Sequence, residues 1–356
     1  MSTWHDFEAA TPQLAAFGDP QVLELTGLVL PDELQAVFET KFRRRSLLVE
    51  WADGSGLPAR IEVAVDEGAV QAGGRKMPIC ELELELKEGD PRALFELVAE
   101  MRAIVPLRFY PLDKAARGYM LAGNAPPRWR KAPPLLLAPD MTVEDALSTI
   151  LGSATRHWID NEAAAVDGRE SEGLHQLRVA LRRIRSALSL FRPALPEASR
   201  KQWDAELKWL LSHLGAARDL DVFAGETLPP VREARREDRG IVAVGEAADR
   251  RRKEAHEDLR ATIGSHRYAD LLFGFSIWTA RRGWRQGAEF ETLLIQRQPI
   301  EQLARKILRK RHRAVLKAGS GFEDLGPEAR HKVRIAFKKL RYGLEFFESL
   351  FPEKEV

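Results

Sequence analysis

Two segments of equal length, HQLRVALRRIRSALSLF at residues 175–191 and HKVRIAFKKLRYGLEFF at residues 331–347, decide the fold of this chain. They align without a gap at a constant offset, histidine on histidine and phenylalanine on phenylalanine, and the match extends to Pro196 and Pro352. Repeats this far apart are typical of two halves of one domain related by an approximate twofold axis. A solenoid of short units would repeat at a much shorter period.

Each segment, placed on a helix, carries a basic stripe on one side and an apolar face on the other. At about 100° per residue, the histidine and the three cations at helical spacing fall within an arc of about 80°. The stripes and the basic residues beside them are His175, Arg178, Arg182, Arg183 and Arg185, and His331, Arg334, Lys338, Lys339 and Arg341. The faces predicted to meet the core are Leu177, Ala180, Leu181, Ile184, Leu188 and Phe191, and Val333, Ala336, Phe337, Leu340, Leu344 and Phe347.

The stripes favour binding of an extended anion over the alternative of two solvated helix faces. A solvated face usually mixes charges of both signs, whereas residues 175–191 contain no acidic residue, and like charges one turn apart cost a few tenths of a kcal/mol each. Chance surface charge also has no reason to recur in register. Each stripe spans about 15 Å, a length that suits several successive phosphates better than one small ligand.

The composition describes a globular protein of ordinary kind. The chain has 356 residues, of which 44% are hydrophobic and 30% charged, and its 55 basic and 53 acidic residues nearly cancel. No apolar run is long enough to cross a bilayer and the start lacks the order of a signal peptide, which predicts a cytoplasmic protein without membrane association. The single cysteine, Cys80, is predicted to be an inert core residue.

The spacing of apolar residues changes once along the chain, from strand-like to helical, which predicts two domains of class α+β. Residues 1–125 contain three alternating or β-branched segments, FETKFRRRSLLVEW, ARIEVAVDEGAV and ICELELELKEG, and one helical segment, PRALFELVAEMRAI; they predict an antiparallel β-rich domain. Residues 126–139 are rich in proline and predict a linker. Residues 140–356 show helical spacing throughout and predict an all-helical bundle, with Thr142 and Asp145 at its first helix start.

The helical region resembles the CHAD family, the conserved-histidine α-helical domains, in the doubled order of histidine, arginine, basic pair and arginine and in the stretch LGAARDLDVF. The resemblance implies two helical bundles facing each other across a basic cleft that binds polyphosphate through the two histidine helices. Arg218 and Asp219 are expected to form an ion pair that fixes a helix end. The second half stops soon after Pro352, which leaves three alternatives: a truncated product, a homo-oligomer in which another chain completes the second bundle, or a cleft that is open on that side.

The first region resembles the CYTH family of triphosphate tunnel enzymes in FETKFRRR, IEVAVDEG, CELELELKEG and DKAARGYML, which look like that family's later strands. The resemblance implies a partial tunnel or half-barrel, since VLELTGLVL is a poor match to the family's first strand. It implies phosphate contacts at Arg43, Arg45, Lys114 and Arg117 and a metal site at Glu81, Glu83 or Glu85. From the alternation alone, an ionic concavity and a solvent-washed sheet face with cross-strand ion pairs are equally good interpretations.

Three functions follow from these patterns. The leading one is binding of inorganic polyphosphate, which needs no cofactor and is compatible with association with polyphosphate granules. The first alternative is a metal-dependent inorganic triphosphatase in the β-rich domain, using Mg or Mn, so the question of an enzyme stays open. The second is binding of a nucleic-acid backbone, which the shortage of aromatic residues along the stripes disfavours.

Overall fold

The structure is a computed structural model that describes residues 35–52 and 58–351. It divides into two compact units. Among the described residues, the first comprises 35–45, Ala64–Leu82 and Leu112–Ala125; the second comprises 46–52, 58–63, Glu83–Pro111 and 126–351. The α+β class is confirmed, because strands precede a long helical region.

Three strands form the sheet, β1 (Glu39–Ala52), β2 (Pro58–Ala72) and β3 (Arg75–Glu88), adjacent in chain order and antiparallel. All three predicted strand segments are confirmed. The turn between β2 and β3 is Gly73–Gly74, with φ of 54° and 77°. Two consecutive positive φ values fit the type I′ hairpin turn, whose twist matches that of the flanking strands, and glycine adopts them without a steric cost.

Two helices accompany the sheet in the sequence, α1 (Arg92–Arg102) and α2 (Lys114–Gly123). The helix α1 is confirmed, but the interpretation of DKAARGYML as a strand is wrong. The Asp113 carboxylate accepts a hydrogen bond from the Ala116 amide at 2.6 Å, which caps the start of α2, and the residues after the cap are strong helix formers. The expectation that Cys80 is a core residue is also wrong, since the thiol lies on an exposed part of β3.

From Val143 onward, the described chain is mostly helical, as predicted. They are α3 (Val143–Asp167), α4 (Ser171–Leu190), α5 (Glu197–His213), α6 (Gly215–Val222), α7 (Leu228–Ala234), α8 (Arg239–Gly264), α9 (His266–Ala280), α10 (Phe290–Gln296), α11 (Ile300–Ala318) and α12 (Pro327–Phe347). The predicted cap is present, because the Thr142 hydroxyl accepts from the Asp145 amide at 3.1 Å. Among the described helices, none is both long and apolar enough to span a bilayer.

Within the second unit, the first helices of the two halves, α3 and α11, begin with equivalent backbone hydrogen bonds. The Val143 amide donates to the Gln298 carbonyl at 2.8 Å, and the Ile300 amide donates in return to the Met141 carbonyl at 2.9 Å. This reciprocal pair joins the two helix starts around an isolated antiparallel bridge. The predicted twofold relation between the halves is therefore visible in the backbone hydrogen bonds.

At the carboxyl-terminal ends of α4 and α12, the two equivalent phenylalanines contact each other. Phe191 and Phe347 are both fully buried, and their ring centroids lie 6.0 Å apart. They join one continuous apolar core that also holds Trp158 and Trp284. The contact places the carboxyl-terminal halves of α4 and α12 side by side.

The two repeated helices differ in how their apolar faces are covered. All six residues predicted for the first face are at most 1% exposed, and Val333 and Phe347 of the second face are also buried. However, Phe337 is 56% and Leu344 51% exposed, so the prediction is wrong for these two. In the described part of the chain, this side of α12 is only partly covered, whereas α4 is flanked by α3 and α5. A second chain that completes this half stays a prediction.

The equivalent positions Leu181 and Phe337 give a matched stability test. We expect Leu181→Ala to lower the free energy of unfolding by about 2–5 kcal/mol, because it leaves a cavity in a closed core. We expect Phe337→Ala to change it by about 0.5 kcal/mol or less, since its side chain is largely exposed. Urea unfolding of both variants measures the difference, and equal losses would show that Phe337 is covered in solution.

Candidate functional site

A cavity of about 390 Å³, here called the first cavity, lies between α4 and α12. Side chains from α5 and α11 complete its wall. Seven cations line it: Arg182, Arg185, Arg200, Arg311, Lys338, Lys339 and Arg341. The described lining contains a single carboxylate, Asp204. The tertiary structure therefore concentrates positive charge that the sequence distributes over four helices.

Most of this positive charge has no counter-charge nearby. Asp204 accepts from Arg185 Nε at 2.8 Å and from Lys208 Nζ at 2.7 Å, so it is already shared between two cations. Arg341 lies 3.5 Å from Glu345. Within residues 35–52 and 58–351, the structure records no ion pair for the other cavity residues Arg182, Arg200, Arg311, Lys338 and Lys339.

Burial disfavours the charge of two of these cations, and at Lys338 repulsion from neighbouring arginines adds to it. Burial lowers the pKa of Lys338, and Arg334, Arg182 and Arg341 lower it further. Burial alone lowers the pKa of Arg311. The Nε atoms of Arg182 and Arg200 are buried without a hydrogen-bond acceptor. An anion in the cavity would relieve the repulsion and supply the acceptors, because donors to an ionised oxygen form strong, short hydrogen bonds.

The amino-terminal end of the α4 stripe lies elsewhere, beside the end of α5. Arg178 Nη1 donates to the Leu211 carbonyl at 2.8 Å, and burial lowers the pKa of Arg178. His175 is half-buried, and burial lowers its pKa below the usual 6.5, with the neighbouring Arg218 and Arg182 acting in the same direction against Glu172. The neutral form of the His175 imidazole is therefore favoured at neutral pH.

The second residue of the basic pair is buried in the first copy of the repeat and exposed in the second copy. Arg183 is buried, 3.5 Å from Glu345, with its guanidinium carbon 5.3 Å from the Phe346 ring centroid. Burial lowers the pKa of Arg183. Its counterpart Lys339 is exposed and lines the first cavity. Arg183 thus contributes to packing between α4 and α12, and Lys339 to the charge of the cavity.

The structure brings five of the ten predicted residues into one cavity and leaves five outside its lining. The five in the cavity are Arg182, Arg185, Lys338, Lys339 and Arg341. The five outside are His175, Arg178, Arg183, His331 and Arg334. Sequence reasoning missed Arg200 and Arg311. A signal for Arg311 exists, because no acidic residue occurs between Glu301 and Glu323.

The stretch LGAARDLDVF forms a structural network rather than the expected pair of neighbours. Arg218 lies 3.7 Å from Glu226, not against Asp219. The buried residue is Asp221, which accepts from Arg252 at 2.7 Å and shares a 3.0 Å hydrogen bond with His256. Burial opposes ionisation of Asp221, but these hydrogen bonds hold its pKa below 3.8. The network ties α6 to α8.

In the first unit, Lys114 and Arg117 of α2 lie against two carboxylates of the sheet. Lys114 Nζ is 2.7 Å from Asp66 Oδ2 and also contacts Glu81, which pairs with Arg117 as well. Arg44 donates twice to Asp66, at 2.8 and 2.7 Å. The Arg44 hydrogen bonds hold the pKa of the fully buried Asp66 below 3.8. Three cations thus neutralise two carboxylates.

The predicted phosphate residues of β1 lie on the other side of that strand from Arg44. Arg45 pairs with Glu67 at 2.8 Å, where both side chains are exposed, and Arg43 is exposed as well. Alternation along β1 explains this, since neighbouring residues point to opposite faces. The structure therefore groups Lys114 and Arg117 with Arg44 and not with Arg43 or Arg45.

The predicted metal residues of β3 are divided between the two units. Glu81 belongs to the first unit, whereas Glu83 and Glu85 belong to the second. Glu85 lies 2.9 Å from Lys87 Nζ. The Glu81 carboxylate is of the right chemistry for Mg or Mn, but Lys114 and Arg117 occupy it in this arrangement. Asp66 and Glu81 nevertheless belong to a group of carboxylates whose oxygens lie within 4.8 Å of one another, close enough to hold a divalent ion.

Arg183 and Lys339 provide a matched test of these placements. We expect Arg183→Ala to lower the free energy of unfolding by about 2 kcal/mol, because it removes buried packing against Phe346 and the charge beside Glu345. Lys339→Ala should change it by about 0.5 kcal/mol or less, since Lys339 is exposed. Chemical unfolding followed by circular dichroism measures both values. Equal effects would contradict the different placement of the two residues.

Two family models match the chain. A model described as CHAD domain matches residues 149–356, more than half of the chain. A model described as CYTH domain matches residues 4–119, part of which lies outside the described residues. The order of the two matches agrees with the two resemblances seen in the sequence.

Two known proteins are similar over parts of the chain. The crystal structure of the CHAD domain from the plant Ricinus communis superposes with a TM-score of 0.54 and 30% identity, over 63% of this chain and 72% of that one. A protein of Haemophilus influenzae (strain ATCC 51907 / DSM 11121 / KW20 / Rd) named inorganic triphosphatase is 40% identical over 91 residues. That alignment covers 26% of this chain and only 24% of the triphosphatase.

Proposed function

The chain belongs to the CHAD domain family, and from this premise we propose that its helical region binds inorganic polyphosphate in the first cavity. The observation that carries the proposal is the crowding of Arg182 and Lys338, which face each other from two helices without an ion pair in the described residues. A protein that needed only solubility could leave these side chains far apart in water. Here the fold holds them together, and an anion between them would relieve their repulsion.

The shape of the charge distribution supports a chain of phosphates as the ligand. The seven cations come from four helices around the contact between α4 and α12. Arginine and lysine bind phosphate oxygens through charge-assisted hydrogen bonds that do not depend on a particular base or sugar. Repeating phosphates can therefore satisfy several cavity cations at once.

The aromatic residues of the cavity disfavour a nucleic acid as the ligand. Tyr342 is the one aromatic residue of the described lining, and it is only 6% exposed. Proteins that bind single-stranded nucleic acids usually present exposed aromatic rings on which bases stack. Without such rings the cavity favours a bare polyphosphate over a backbone that carries bases.

Charge reversal across the cavity tests this proposal. We expect the double variant Arg182→Glu/Lys338→Glu to lower the affinity for long-chain polyphosphate by roughly a hundredfold or more at low salt, because two attractions become repulsions. The control is Arg313→Glu, an exposed residue of α11 outside the cavity lining. Isothermal titration calorimetry at several salt concentrations measures binding. Unchanged affinity in the double variant, or DNA of equal charge binding the wild type as well, would contradict the proposal.

A second candidate function is hydrolysis of inorganic triphosphate in the first unit. The match of residues 4–119 to the CYTH model and the similarity to the Haemophilus influenzae triphosphatase favour it. The cluster of Lys114, Arg117 and Arg44 offers phosphate-binding cations beside Asp66 and Glu81. Mg or Mn would supply the activation of water in such a reaction.

Replacement of a single carboxylate tests the second candidate. If it holds, tripolyphosphate with added Mg or Mn releases phosphate, and Glu81→Gln lowers the rate by about a hundredfold or more. The control is Glu67→Gln, a similar change on the exposed side of the sheet, which should keep the wild-type rate. Phosphate release from the wild type is measured colorimetrically. No release with either metal, or equal rates in all three proteins, would refute this candidate.

A further inference from the structure

A second cavity of about 330 Å³ adjoins the first one. The two share Ser189, Leu190 and Arg311 in their walls, so they meet along one boundary at the end of α4. Arg192, Lys306 and Lys310 add three cations, and none of the described residues that line the second cavity is acidic. The basic surface thus continues past the contact between α4 and α12.

Arg311 stands where the two cavities meet. Its Nη2 atom donates to the Ser189 hydroxyl at 3.4 Å, and the described residues offer it no carboxylate within ion-pair distance. Burial lowers its pKa, because removal from water disfavours the charged guanidinium. A ligand that passed from one cavity to the other would bring an anionic oxygen next to this guanidinium.

Among the described residues, the two lysines of the second cavity have no basic counterparts at the matching positions of α3. The reciprocal hydrogen bonds at the helix starts match Val143 with Ile300, and the same offset matches Lys306 with Thr149 and Lys310 with Ser153. The cations of α11 are therefore replaced by hydroxyl residues in α3. In the described residues, the basic lining therefore extends beyond the contact between α4 and α12 on the side of α11.

We infer that the second cavity is an extension of the polyanion site that makes the protein prefer long polyphosphate chains over short ones. This inference rests on the proposed function. A short chain can lie wholly within the first cavity, whereas a long chain passes Arg311 and gains contacts with Lys306 and Lys310. Those two lysines are one helical turn apart, about 6 Å, and present adjacent donors to successive phosphates.

Neutralisation of the two lysines tests the inference. In Lys306→Gln/Lys310→Gln, the affinity for long-chain polyphosphate should fall roughly tenfold, and the slope of log affinity against log salt should become shallower by about two. The affinity for tripolyphosphate should stay that of the wild type. Both lysines are exposed, so the helical content and the melting temperature should not change.

The matched control is Arg313→Gln/Lys317→Gln. It removes two exposed cations of the same helix at the same spacing, and neither residue lines a cavity. This control should bind both ligands with nearly wild-type affinity and salt dependence. Each measurement uses the full chain, with calorimetric titration of tripolyphosphate and of long-chain polyphosphate.

The possible failures are distinguishable from one another. If the wild type binds neither ligand, the proposed function itself fails. If the wild type binds long-chain polyphosphate but the test and control variants lose affinity equally, the second cavity is not part of the path and the inference fails alone. A test variant that loses the same factor for both ligands would overturn the claim of chain-length preference.

Discussion

The contact between Phe191 and Phe347 is the constraint on which the helical region depends. These two residues are equivalents in the repeat, and their burial against each other fixes the carboxyl-terminal ends of α4 and α12 together. The reciprocal hydrogen bonds between Val143 and Gln298 and between Ile300 and Met141 fix the starts of the preceding helices. Together, these contacts force two basic helices into proximity, although their charges alone would drive them apart.

The fold therefore holds a local electrostatic repulsion in place with apolar packing. Burial of a phenylalanine ring contributes several times the few tenths of a kcal/mol that one exposed like-charge pair costs. The lowered pKa of Lys338 reflects burial and that repulsion, whereas the lowered pKa of Arg311 reflects burial alone. On the proposed function, the anion would bind with little reorganisation of the helices, because the cations are already held together.

The two halves of the repeat show how one pattern leads to different surroundings. Leu181 is fully buried while its equivalent Phe337 is mostly exposed, and Arg183 is buried while its equivalent Lys339 lines the first cavity. The α11 helix adds cations that α3 lacks at the matching positions. The symmetry holds in the backbone hydrogen bonds between the starts of α3 and α11. It is lost in the side chains farther along these helices, so the basic surface extends along α11.

The sequence by itself determined the class of the fold, the three strands, the helical region and the two basic helices, because periodicity and capping are local properties. It also showed the doubled stripe, and with it a candidate anion site that contains Arg182, Arg185, Lys338, Lys339 and Arg341. It failed at α2, where a helix cap outweighed the apparent strand pattern. Along the second apolar face it failed as well, because coverage depends on what other elements lie nearby.

Only the tertiary structure decided which cations share a cavity. Arg200 and Arg311 come from α5 and α11, and no spacing within one helix relates them to the stripes. Likewise, Arg44 rather than Arg43 or Arg45 shares Asp66 with Lys114. The pairing of β1 with β2 decides which face of β1 lies beside Asp66. Local pattern sets which side of a helix or strand is basic, whereas packing between distant segments sets which of those sides face one another.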